Sequence, residues 1–161
     1  MRKSNLLLSA SAALAFATAS WAAPAPANDI GYDPRADAFT QLDSAVAQAA
    51  TESKLVLVIS GGDWCIWCHY LAAFLERETA IDAALHEVFV VAKVYVGGEN
   101  KNTAFFARLP EAAGAPHFWV VSATGEVLAS QNTLPLEDGA KSYDPKAFLA
   151  FIDGWRNRSA D

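Results

Sequence analysis

The feature that most restricts what this chain can fold into is a buried-strand pattern that ends on two glycines and runs straight into a helix. Leu55 to Ile59 is an unbroken run of Leu, Val and Ile, which suits a strand covered on both faces. Ser60-Gly61-Gly62-Asp63 breaks it. From Cys65 to about Thr79 there is neither Gly nor Pro, and Leu71, Phe74 and Leu75, followed by Glu76-Arg77-Glu78, continue a helical pattern. The segment therefore reads as strand, tight turn and helix, with Cys65 and Cys68 at the helix start.

The flanking sequence supplies the remaining elements. Between Asp37 and Ala50, apolar residues at Phe39, Leu42, Val46 and Ala49 keep the three-and-four spacing of an amphipathic helix. Val88 to Val96 forms a second apolar strand interrupted by Lys93 and ended by Gly97-Gly98-Glu99-Asn100, and Thr103 to Leu109 can form a short helix before Pro110. His117 to Val121 and Glu126 to Ser130 flank Ser122-Ala123-Thr124-Gly125 as a hairpin. Residues 131–144 read as a polar loop. Pro145 suits the first turn of a last helix, with Phe148, Leu149, Ile152 and Trp155 facing inward. The Tyr-Asp-Pro triplets that begin at residues 32 and 143 each precede a helix and read as turn and capping chemistry. The order helix, strand, helix, strand, helix, hairpin, helix implies an α/β protein, a central mixed β-sheet flanked by helices on both faces.

The first residues have a composition of their own. Arg2 and Lys3 precede Leu6 to Ala19, which carries no charge, and the small residues Ser20 and Ala22 follow. This is the layout of a secretory signal peptide over 1–22, too short in its apolar run for the roughly 20 residues that span a bilayer. Residues 23–36, with Pro24 and Pro26, read as an exposed leader, and 37–158 as the domain. The chain is 161 residues long and 53% hydrophobic, enough for one domain to bury a core without disulfide staples. Its formal net charge is −6, and losing Arg2 and Lys3 on export makes it more acidic. Such a surface is repelled by nucleic acid and by anionic membrane, and no stable membrane insertion is expected after cleavage.

Cys65 and Cys68 are the only cysteines. In an oxidising compartment the pair can cycle between dithiol and disulfide, whereas a purely structural bridge closing so small a loop adds little stability. Unpaired N–H groups and the dipole at a helix start stabilise a thiolate there, lowering a thiol pKa from about 8.5 to roughly 3.5–7.5. Cys65 would be the attacking sulfur and Cys68, one turn deeper, the one that resolves the mixed disulfide. Cys65-Ile66-Trp67-Cys68-His69 also satisfies the rule for c-type haem attachment, with His69 as proximal ligand and His86 or His117 on the distal side. Against haem, Met1 is the only methionine, so the common distal ligand is missing, and a buried strand leads straight into the motif. Zinc lacks a fourth ligand.

The sequence at this point resembles the thioredoxin superfamily over residues 37–158. Lys54-Leu55-Val56-Leu57-Val58-Ile59 looks like the central strand, Trp64-Cys65-Ile66-Trp67-Cys68 the active site, and Val90-Val91-Ala92-Lys93-Val94 the next strand. Gly114-Ala115-Pro116 and Gly125-Glu126-Val127 look like the cis-proline loop and closing hairpin. There is no room for a large helical insertion or a dimerisation domain, so the likeness is to small secreted thioredoxin-like proteins. It implies a thioredoxin-like fold with Pro116 after a cis bond against the cysteines, and Ala115 offering backbone groups to an extended substrate strand. Taken alone, Pro116 would read as an ordinary trans proline at a strand start.

The resemblance also exposes a departure: Ile59 stands where the family has a buried acid, while Lys93 occupies the position of the lysine that often accompanies it. Lys93 either lies near the dithiol and favours thiolate or snorkels to water. Asp63 reads as an N-cap more readily than as a local acid, and His69 as a solvent-facing helix residue more readily than as a proton shuttle. Trp64, Ile66 and Trp67 suit an apolar docking face beside the sulfurs, and Phe118 and Trp119 the core. The expected activity is thiol-disulfide exchange with exported, periplasmic proteins that carry thiols or disulfides. It would be reductase-like, supplied by a membrane electron partner, and would need no metal or cofactor beyond the Cys65/Cys68 dithiol itself. The alternatives are the haem electron carrier and a non-enzymatic binding module on the same scaffold.

Overall fold

Alternation along the strands divides the interior into two layers. In the computed structural model, which describes residues 30–156 and residue 158, strands β1 (Leu55–Gly61), β2 (Phe89–Tyr95), β3 (His117–Val121) and β4 (Val127–Asn132) form one sheet in the order β2-β1-β3-β4. β1 runs parallel to β2 and antiparallel to β3, and β4 closes the edge antiparallel to β3. Leu55, Leu57 and Ile59 of β1 point to one face with Phe89, Phe118 and Val120; Val56 and Val58 point to the other with Val90, Val94, Trp119 and Val121. This period of two explains why β1 is buried throughout while β4, at the edge, alternates.

Each face is covered by helices. Over the first lie α2 (Ile66–Arg77), α3 (Thr79–Val88) and α5 (Pro145–Arg156), contributing Leu71, Phe74, Ile81, Leu85, Phe148 and Ile152. Over the second lie α1 (Ala38–Glu52) and the short α4 (Thr103–Phe106), where Ala38, Ala45 and Ala49 bring α1 close to the sheet and Phe105 fills the end. Asp37 caps α1 by accepting from Thr40 N at 2.8 Å, and Asp144 caps α5 by accepting from Ala147 N at 2.8 Å just before Pro145. Among the described residues no helix is long and apolar enough to cross a membrane.

Four details differ from the sequence reading. The helix begun at the cysteines stops at Glu78, and α3 starts at once with Ile81, Leu85 and Val88 buried; this spacing is helical but merges with the apolar strand that follows. Residues 131–144, read as a polar loop, also carry structure and core: Leu134–Leu136 is a 3-10 turn, Thr133, Leu136 and Tyr143 are buried, and Asp138 Oδ1 accepts from Ala140 N and Ser142 N. Leu149 is exposed, and Phe151 instead stacks on Phe89. The exposed leader read over 23–36 does not extend through Ile30–Ala36. Tyr32 is only 5% exposed, Lys93 Nζ donates to Ile30 O at 2.6 Å, and Asn100 Nδ2 donates to Pro34 O at 3.0 Å. The signal peptide and the rest of the leader lie outside the described residues.

Candidate active site

β1 delivers the chain to the dithiol and hydrogen bonds hold the turn that follows. Val96 N donates to Gly61 O at 2.8 Å and Cys65 N donates to Gly62 O at 2.9 Å. Cys65 is the N-cap of α2, with its sulfur accepting from Cys68 N at 3.2 Å. Asp63, read from sequence as the cap, is not: it lies outside the capping position, and its backbone carbonyl accepts from His69 Nε2 at 2.8 Å. A carbonyl can only accept, so this contact selects the Nε2–H tautomer of His69, whose ring braces the turn against the first turn of α2. No acidic residue stands in that turn to oppose a negative sulfur.

Cys65 and Cys68 are joined as a disulfide with their Cα atoms 5.2 Å apart, and they are 4% and 2% exposed. On the outer side Trp64 and Ile66 project at 58% and 57% exposure. Trp64 is oriented by donating from Nε1 to Val96 O at 2.7 Å, and its indole passes so close to Gly97 that any side chain there would meet it. Trp67 is placed differently from its neighbours. It is half-buried, edge-on to Tyr70 and Tyr143, so the apolar surface by the dithiol is built from Trp64 and Ile66. The Ala115–Pro116 peptide is cis, and Thr133 Oγ1 donates to Pro116 O at 3.1 Å. Ala115 and Trp64 border one apolar groove of about 630 Å³ with Phe106, Pro110 and Trp119.

Behind the dithiol lies a smaller cavity of about 250 Å³, walled by Cys68, Ile59, Tyr32, Leu71 and Lys93 and bordered by Glu76, Asp82 and His86. Lys93 is the register partner of Ile59, so it faces this cavity, where its ammonium is held by Ile30 O and lies 5.9 Å from the centre of the Tyr32 ring. It neither runs freely to water nor replaces the missing acid. Tyr32 and Tyr143 are functional-region residues that the sequence reading missed. Burial pushes both hydroxyls above the usual tyrosine range. Their signal was the repeated Tyr-Asp-Pro triplet, read only for its aspartate and proline.

His86 sits on α3 with Nδ1 at Asp82 O, and His117 is buried with Nε2 at Ser130 Oγ, 2.8 Å away. Among the described residues no group of three or more His, Cys, Asp or Glu side chains is placed to hold a metal ion.

A family model described as thioredoxin-like matches residues 37–123. No curated protein sequence matches the chain. Among solved structures, a disulphide isomerase from Xylella fastidiosa Temecula1 is similar with a TM-score of 0.67 and 26% identity, covering 80% of this chain and 98% of that one. The C-terminal domain of DsbD from Neisseria meningitidis, in its oxidised form, is similar at TM-score 0.54 and 20% identity, covering 75% and 97%. A thioredoxin from Thermus thermophilus is similar at TM-score 0.50 and 23% identity, covering 76% and 84%. With the match spanning more than half the sequence and a disulfide-linked Cys-X-X-Cys pair at the N-terminus of α2, the chain belongs to the thioredoxin-like family of thiol-disulfide oxidoreductases.

Proposed function

We propose that the protein reduces or rearranges disulfides in exported proteins, with Cys65 as nucleophile and Cys68 as resolving thiol. The observation that carries this reading is the placement of Cys65 at the N-cap of α2, where Cys68 N–H points at its sulfur between exposed Trp64 and Ile66. In the dithiol state that N–H and the helix dipole favour a Cys65 thiolate. The thiolate attacks a partner's disulfide, forming a Cys65–partner bond and expelling one partner thiolate. Cys68 then attacks Cys65 Sγ, expels the second partner sulfur and leaves the Cys65–Cys68 disulfide. Two electrons pass to the partner, so a thiol-bearing donor, read as a membrane redox protein, must restore the dithiol.

Docking would use the apolar surface of Trp64 and Ile66, with Ala115 and Pro116 presenting backbone to an extended segment. The names of the similar proteins, a disulphide isomerase and a DsbD domain, support such substrates and partners. Arg2, Lys3 and the uncharged Leu6–Ala19 support export, which fits a periplasmic place in cell redox homeostasis. No resident cofactor is needed for this chemistry. A covalently held haem fits poorly, because both sulfurs are buried and His69 turns back onto Asp63 O.

Replacing Cys68 with Ala leaves the attacking sulfur and removes the resolving one. Expressed in cells, Cys68→Ala is expected to accumulate as mixed disulfides on Cys65, visible as reductant-sensitive bands on gels. Recovery of only free Cys68→Ala protein would refute exchange and favour a binding module.

A further inference from the structure

The space that a side chain on Gly61 would occupy is already taken. A Cβ there would lie 2.5 Å from Cys68 Sγ and 2.8 Å from both Cζ and Oη of Tyr32. The resolving sulfur and the tyrosine hydroxyl thus both lie against the one glycine at the end of β1. Tyr32 reaches this point from the segment ahead of α1, which Lys93 holds at Ile30 and Asn100 holds at Pro34. Its ring is buried in the same cluster as both cysteines.

A thiol packed on apolar side chains tends to keep its proton, and Ile59 and Leu71 are among the residues that wall the cavity behind Cys68. Attack on the mixed disulfide nevertheless requires the thiolate. On the thiol-disulfide exchange reading, we propose that Tyr32 is a positioning residue for the resolving step, its O–H donating to Cys68 Sγ once the disulfide opens and so favouring the Cys68 thiolate. The proton released by Cys68 goes to solvent base, because Tyr32 keeps its own. Burial, with Tyr143 and Asp63 acting in the same direction, holds the Tyr32 hydroxyl protonated far above neutral pH, so it serves as donor and not as base. Cys68 thiolate then forms the bond to Cys65 Sγ. The Cys65–partner bond breaks, and the electron pair leaves on the partner sulfur, which takes up a proton.

Other charged groups border the same space, Lys93 from β2, Glu76 from α2, and Asp82 and His86 from α3, and Asp63 in the turn acts on Tyr32 through its charge. All are common to the wild type and to Tyr32→Phe, so their contributions cancel in a comparison that removes one oxygen atom. The test is the reaction of each reduced protein with one equivalent of an aromatic disulfide whose released thiolate absorbs in the visible, followed by stopped flow across pH. The first release reports attack by Cys65, and the second reports resolution by Cys68.

A hydrogen bond to a charged sulfur should be worth about one pH unit. The second-phase midpoint of Tyr32→Phe is therefore expected about one unit higher, with about three- to fourfold slower release below it, because the more basic thiolate is also more nucleophilic, and with an unchanged first phase. Second phases within twofold of each other at every pH would overturn the inference. So would an equal slowing of both phases with a lowered melting temperature, which is the mark of a packing role alone. A wild type that shows no second phase would instead sink the exchange reading itself.

Discussion

Gly61→Ala separates backbone preference from local crowding, because the two predict opposite signs. Gly61 has no left-handed φ and lies in β1, so on backbone grounds alanine should be tolerated and should stabilise by about 0.4–1 kcal/mol through the unfolded chain. The added methyl, however, would sit 2.5 Å from Cys68 Sγ and 2.8 Å from the Tyr32 ring, against an ordinary contact of roughly 3.5–4.0 Å. Neither neighbour is the loose end of a flexible chain. Cys68 is bonded to Cys65, and Tyr32 is packed among core residues. Relief requires the strand or the N-terminal segment to shift, and overpacking of that kind costs about 1–3 kcal/mol. The upper half of that range outweighs the entropic gain and leaves a net loss of about 1–2 kcal/mol. With a urea slope of about 2 kcal/mol per molar, the middle of the usual range, the midpoint of the oxidised protein should fall by roughly 0.5–1 M. Tryptophan fluorescence in urea measures it directly. An unchanged or higher midpoint with the same slope would refute the crowding around Gly61, and with it the meeting of Tyr32 and Cys68 at that glycine.

Two further outcomes follow from the core. Phe148 is fully buried between Phe74, Phe118 and Tyr143, so Phe148→Ala should cost about 3–5 kcal/mol by calorimetry, and a loss below about 1 kcal/mol would show that α5 is not tied to the sheet as described. Burial holds His117 below the usual histidine range with Nδ1 unpartnered. The folded state therefore resists a proton that the unfolded chain accepts, and stability should decline as pH falls from about 6.5 toward the depressed folded value. His117→Phe should flatten that decline in urea titrations at successive pH values, and an equally steep decline in the variant would place its cause elsewhere.

Local signals carried much of this protein. Five consecutive Leu, Val and Ile residues can hardly be other than a doubly covered strand, and Asp37 and Pro145 mark helix starts by chemistry confined to a few neighbours. The dithiol belongs to the same class, because its position after a strand and a glycine turn follows from residues adjacent in the chain. α3 was missed for a matching reason: Ile81, Leu85 and Val88 run without punctuation into β2, and only their packing under α5 distinguishes the two.

Other features depend on which distant segments meet, and those are where sequence reasoning stopped or erred. Tyr32 and Cys68 are far apart in the chain and share one glycine's empty volume only because the segment before α1 crosses the end of the sheet. Trp67 looks equivalent to Trp64 in the motif, yet Tyr143 from the far end of the fold covers it, leaving Trp64 and Ile66 exposed. Lys93 could be placed on a strand but not assigned a partner until Ile30 came to meet it. Thus strand, turn, helix and reactive pair could be read from short-range periodicity and cap chemistry. The surroundings of the second sulfur were set by close packing between remote segments, a property of volume and contact that no local spacing encodes.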